Sequence, residues 1–174
     1  FTLFTLLFFL QWNSAYAAFS TDEMQKKVKS IVLPYAVTLA ANPEVVAAVN
    51  AANRSQPIKM NNRQWKKLAV SDSLVQSLMN NSAAEELRRN RKSFVSEIFI
   101  SAKDGSKVAF LEKTSSWSHQ GKPKHDLPME GKIWIGDLEL DESSGIHQIQ
   151  VSVPILVEGQ PIGSIVIGSA AVKL

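Results

Sequence analysis

Residues 146–172 read IHQIQVSVPILVEGQPIGSIVIGSAAV, two long runs rich in β-branched residues broken by Glu158-Gly159-Gln160. Such runs separated by a short glycine-containing turn predict a hairpin, with strands over 146–157 and 161–172. Working back along the chain, 95–101 and 107–112 flank Lys103-Asp104-Gly105-Ser106 and predict another hairpin, and 133–140 predicts the third of five strands. It leads into 146–157 through the turn Asp141-Glu142-Ser143-Ser144-Gly145. Hairpins in series make a mostly antiparallel sheet. Between the second and third strands lies a polar stretch, 113–132, with Trp117, His119, Gly121, Pro123, His125 and Pro128. It reads as an irregular loop of about twenty residues, a length that points to function.

Upstream the periodicity is helical. Ser20-Thr21-Asp22-Glu23 offers a capping box, and Met24, Val28, Ile31, Val32, Tyr35 and Leu39 form one apolar stripe, with a kink expected at Pro34. Asn42-Pro43 signals a second helix, Asn61 or Asn62 a third, 71–73 a fourth, and Ser82-Ala83-Ala84-Glu85 a fifth running through Lys92. Helices over 18–93 followed by strands over 94–174 predict an α+β domain, a long N-terminal helix and further helices covering one face of a five-stranded antiparallel sheet.

Composition narrows the function. The chain has 174 residues, 45% of them apolar, which suits one domain with a sizeable core. It has no cysteine, which excludes disulfide frameworks, thiolate catalysis, zinc fingers and iron–sulfur clusters. Its net charge of +3 is too mild for a nucleic-acid binder. The densest basic run, Arg88-Arg89-Asn90-Arg91-Lys92, reads as a solvated helix end favoured by the helix dipole. At the N-terminus, FTLFTLLFFL over 1–10 precedes Ala15-Tyr16-Ala17. Ten helical residues span about 15 Å, half of a ~30 Å hydrocarbon core, so 1–17 is expected to be a signal peptide cut after Ala17. An uncleaved anchor is the alternative. Either way 18–174 is expected in the periplasm or secreted.

The strand half resembles the single Cache (PAS-like, PDC) extracellular sensor domains. The residues that carry the resemblance are Val95-Ser96-Glu97-Ile98-Phe99-Ile100, Asp104-Gly105, Lys113-Thr114-Ser115, Ile135-Gly136-Asp137, Asp141-Glu142-Ser143, Gln150-Val151-Ser152-Val153-Pro154 and 161–168. The resemblance implies a small ligand held between the sheet and the 113–132 loop, no catalysis and no cofactor. It also implies signalling through terminal helices to a membrane receptor or effector, with a second copy docking along the N-terminal helix. One departure bears on specificity. Members of that family follow the Thr-Ser pair with Asp and an aromatic residue, then Gln-Gly and two acidic residues, which are expected to hold an amine. Here the corresponding residues are Ser116, Trp117, Gln120-Gly121, and then Lys122 and Pro123. A buried ammonium needs a carboxylate partner, so the change argues against unmodified amino-acid specificity. His119, Lys122, Lys124 and His125 make the loop basic and suggest a carboxylate or other anionic metabolite.

The expected ligand-binding residues are Ser116, Trp117, Gln120, Trp134, Asp137 and Gln150. Trp117 reads equally as a lid over a ligand or a loop anchor, and Trp134 as packing or a contact. Asp137 and Gln150, polar residues in predicted strands, read as ligand contacts or members of an internal network. Asp141 and Ser143 read as turn formers. Two rival functions stay open. One is a ligand-free interaction domain with Trp117 and Trp134 filling the pocket. The other is a metal-dependent or hydrolytic enzyme, which would need His119, His125 and Asp126 to converge; no G-x-S-x-G nucleophile elbow is present.

Overall fold

The computed structural model describes residues 21–141 and 145–174. The expected signal peptide, Ser20 of the first expected capping box, and Glu142, Ser143 and Ser144 of the expected turn lie outside those residues. Helix α1 (Thr21–Lys27) runs through a π-helical turn, Val28–Val32, into α2 (Leu33–Ala40). Pro34 has no N–H to give to the preceding turn. The chain opens by one residue just before it, with the Leu33 N–H bonded to the Val28 carbonyl five residues back. The bend expected from Pro34 is thus expressed as a register change.

Helix α3 (Pro43–Arg54) starts at Asn42, whose side chain accepts from the Glu44 and Val45 amides. Helix α4 (Asn62–Lys67) starts with a full capping box between Asn61 and Gln64, and α5 (Ser73–Met79) is capped by Asp72. At α6 (Ser82–Asn90) the cap is Asn81, one residue before the expected Ser82. Asn81 takes the Ala84 amide on its carbonyl oxygen and gives its NH2 to the Val108 carbonyl, so one side chain caps the helix and ties it to the sheet.

The strands are β1 (Val95–Ala102), β2 (Lys107–Phe110), β3 (Trp134–Ile135), β4 (Glu139–Asp141), β5 (Ile146–Val157) and β6 (Gln160–Ala170). All pairs are antiparallel, in the order β2-β1-β6-β5-β3, with β4 also on β5. The single strand expected over 133–140 is therefore two. Gly136 still donates to the Gln150 carbonyl, but the chain leaves the ladder at Asp137 and Leu138. Gly and Asp are poor strand residues, which is where the ladder breaks. The 113–132 segment also holds an element that was not expected, α7 (Pro123–Met129), begun by proline in its first turn.

The central strands are buried on both faces. On one, Ile98 and Ile100 of β1, Ile165 and Ile167 of β6, and Val151 and Val153 of β5 pack beneath Val28, Val32, Ala36, Val45, Val49 and Leu87 from the long helix, α3 and α6. On the other, Phe99, Phe110 and Val166 meet Trp65 of α4, Val75 of α5 and Trp117 of the loop. Trp65 is fully buried, lies edge-on to Phe110 at 5.8 Å and beside Trp117 at 5.4 Å, and donates its indole N–H to the Thr114 carbonyl at 2.7 Å. One side chain thus pins the start of the 113–132 segment to the sheet. Trp65→Ala is expected to lower unfolding free energy by about 3–5 kcal/mol in denaturant titrations. A loss below about 1 kcal/mol would contradict this anchoring role.

Candidate functional site

The second face is apolar at one end and polar at the other. Across β1, β6 and β5, Glu97 lies opposite Gly168 and Gly168 opposite Gln150. Because the central strand carries no side chain there, its flanking residues meet above it: Gln150 Nε2 donates to Glu97 Oε2 at 2.7 Å. Gln148 crosses the same gap to accept from Ser96 Oγ at 2.5 Å, and a Cβ at position 168 would collide with its carbonyl oxygen. Lys124 of α7 completes the chain, donating to Gln150 Oε1 at 2.6 Å while its ammonium sits 5.9 Å over the Trp134 ring. The glutamine amide is oriented by an acceptor on one side and a donor on the other.

Above this floor opens a cleft of about 730 Å³. It is lined by Lys66, Val70, Lys113, Thr114, Ser115 and His119, by Trp134, Asp137, Glu139 and Leu140, and by Lys124 against the Trp134 ring. It therefore presents both ammonium groups and carboxylates, Glu97 among the latter.

Helix α7 is held against the sheet by His125, which is buried. Its Nε2 lies 3.2 Å from the Lys103 carbonyl, which can only accept, so Nε2 carries the proton and Nδ1 accepts from Ser164 Oγ at 2.9 Å. Asp126 accepts the Gly121 amide at the turn before the helix. Burial holds the His125 ring below its ordinary pKa, against the opposing pull of the Lys103 carbonyl and Asp126. Beneath the cleft, Lys107 is 3% exposed. Its Nζ lies 2.9 Å from His119 Nδ1, 3.3 Å from Ser101 Oγ and 4.4 Å from the centre of the Phe99 ring. Burial lowers its pKa to about 7, Glu97 opposes that and Lys124 adds to it. Burial foremost, then the charge of Lys107 and Lys124, drives His119 down to about 2.

Three solved sensor domains share this arrangement of sheet and helices. The sensor domain of the V. cholerae histidine kinase DctB superposes with a TM-score of 0.53 at 14% identity, over 87% of this chain and 54% of that one. The sensory domain of the Campylobacter jejuni chemoreceptor Tlp3 with isoleucine bound gives 0.53 at 15% identity, over 88% and 56%. The E. coli DcuS sensor domain gives 0.51 at 14% identity, over 86% and 93%. The chain has the Cache (PDC) sensor-domain fold. It spans about half the length of the DctB and Tlp3 chains and nearly all of DcuS. No protein-family model and no curated protein matches it by sequence.

On this Cache fold, Trp134, Asp137 and Gln150 line the cleft, whereas Ser116, Trp117 and Gln120 lie off it. Gln120 is exposed, and Ser116 turns its carbonyl to the Thr114 hydroxyl. Trp117 is a core residue against Trp65, so it does not fill the cleft as the ligand-free alternative required. Among the described residues, His119, His125 and Asp126 form no metal-holding group, their ring nitrogens and carboxylate being engaged as above. Sequence reasoning missed Glu97 as a site residue, along with Gln148 and the Lys107–His119 pair. The signal was present: Lys107 opens the buried strand KVAF, where a lone lysine needs a partner.

The His119 ring stays neutral in the folded chain and His125 is held below its ordinary pKa, while an unfolded histidine takes a proton near about 6.5. Below that value the unfolded chain binds protons the folded chain does not, so stability falls as pH drops. Lys107 acts with the same sign at higher pH: with its amine at about 7 when folded and 10.5 otherwise, stability rises between those values. The melting temperature is therefore expected to fall between pH 7.5 and pH 5, and His119→Asn to reduce the fall. A melting temperature unchanged over that range would contradict the lowered pKa values of the two buried histidines.

Proposed function

We propose that this chain is an extracytoplasmic ligand-binding sensor module that performs no chemistry and takes a small polar metabolite in the cleft over Glu97, Gln150 and Lys124. The observation that carries this reading is the hydrogen-bonded series Lys124–Gln150–Glu97 lying open at the base of a cleft large enough for a metabolite. Polar groups placed this way fix a ligand's orientation while the flanking Trp134 supplies contact area. Lys66, Lys113 and Lys124 suit a carboxylate or other anion. Glu97, Asp137 and Glu139 stand where a cationic group on the same ligand would be met, which supplies from the sheet and its edge the acids missing from the loop. Tlp3, whose domain holds isoleucine, supports a zwitterion as one ligand class to test. In the same reading, residues 1–17 direct export, 18–174 form the sensor, and a receptor or effector takes the signal. A second copy docks along the helix Asp22–Ala40, where Ile31 and Val37 are exposed.

The test is a thermal-shift screen of the full chain against amino acids, mono- and dicarboxylates, amines, purines, sugars and phosphates, with and without EDTA. A compound at 100 times its Kd adds about 2.7 kcal/mol, or about 5–10 °C for a chain of this size. At least one anionic or zwitterionic compound is expected to reach that shift, and Lys124→Ala and Gln150→Leu to abolish it. A shift that survives both substitutions would place the ligand elsewhere and overturn the reading.

A further inference from the structure

Lys107 and His119 lie outside the hydrogen-bonded series that defines the floor, yet His119 lines the cleft and Lys107 is buried directly behind it. We infer that the pair is the anion-recognising part of the site: Lys107 positions the His119 ring so that its Nε2–H is a donor to a carboxylate or other anionic oxygen of the ligand, and backs that donor with positive charge. The inference rests on the cleft being a ligand site.

The geometry leaves one assignment for the charged state. An ammonium only donates, so with Lys107 Nζ 2.9 Å from Nδ1 the proton of the neutral ring must sit on Nε2. When Lys107 loses its proton, the amine gains a lone pair, the Nδ1 contact can reverse, and Nε2 then becomes an acceptor that repels an anion. The groups facing the pair are Ser101, which accepts from Lys107, Glu97, which favours its charge, and Lys124, Lys122 and His125, whose positive charge opposes charge on the ring. The ring therefore stays neutral while Lys107 alone titrates, near pH 7. An anion arriving at Nε2–H favours the charged lysine, so binding and proton uptake are linked.

The experiment uses the full chain with isoleucine, acetate and succinate as probes. Nitrogen-15 spectra of the histidine rings are expected to show His119 protonated on Nε2 at pH 6, and the Nε2 signal to move when a probe binds. Calorimetric titration is expected to give an affinity about tenfold weaker at pH 8 than at pH 6, with proton uptake, and Lys107→Met to flatten that dependence. A ring protonated on Nδ1 at pH 6 overturns the inference without any probe. A probe whose binding is lost in Lys124→Ala but is equal at both pH values and leaves the His119 signals unmoved overturns it while leaving the cleft as the ligand site. Absence of binding by all three probes overturns the inference together with the anionic reading of the cleft.

Discussion

The cleft rests on a gap in the central strand. Gly168 stands between Glu97 and Gln150 on the two neighbouring strands, and its missing side chain lets those groups meet across β6. Half-buried polar groups on a sheet face need partners. Here the row satisfies itself from strand to strand and takes its last partner, Lys124, from α7. Any larger residue at 168 would place its Cβ in collision with Gln148 Oε1 and 3.0 Å from Ser96 Oγ and so disturb the bond between them. The position of α7 follows from the same face, since His125 joins Ser164 of β6 to the Lys103 carbonyl at the end of the β1–β2 hairpin.

The two faces of the sheet differ in what covers them. One is closed over by the long helix, α3 and α6 with aliphatic side chains, and the other is apolar only where Trp65, Phe110 and Trp117 anchor the loop. A few residues farther along the same strands, the side chains become Glu97, Gln148 and Gln150. Strand alternation brings this about: Ile98 and Ile167 point into the first core, while Glu97 and Phe99 point to the second face. Trp65 matters to the site although it does not touch it, because its bond to the Thr114 carbonyl fixes the wall that carries Lys113, Ser115 and His119.

The parts of the fold legible in the sequence are those written in local signals. Asn42 before Pro43, a helix start at Asn61 or Asn62, and the two hairpin turns need only neighbouring residues to specify them, and the structure has Asn42 and Asn61 as caps and both turns between their strands. Asp104 accepts from the Ser106 amide and hydroxyl, and Gly105 adopts a φ of 80° against the Gln120 backbone, which no side chain would allow. Helix α7 escaped because its seven residues include two prolines and no apolar repeat. Asn81 displaced Ser82 because it serves the sheet as well as the helix. The site was half legible for a different reason. Trp134, Asp137 and Gln150 lie beside or within strands whose registers a hairpin reading approximates, whereas Glu97 and Lys107 join it through pairings between strands distant in sequence. Ser116, Trp117 and Gln120 lie off the cleft because the loop turns its indole inward to Trp65, a direction set by tertiary packing alone.

The central claim is that the polar floor over Gly168 is where a small molecule binds. It is tested most directly by a crystal structure of the chain grown with the compound that most raises its melting temperature. The account predicts density for that compound within hydrogen-bond distance of Gln150 or Lys124 and against the Trp134 ring. Density instead in the second cavity, of about 640 Å³ between α3 and the β1–β2 hairpin, with the floor side chains unliganded, would contradict it.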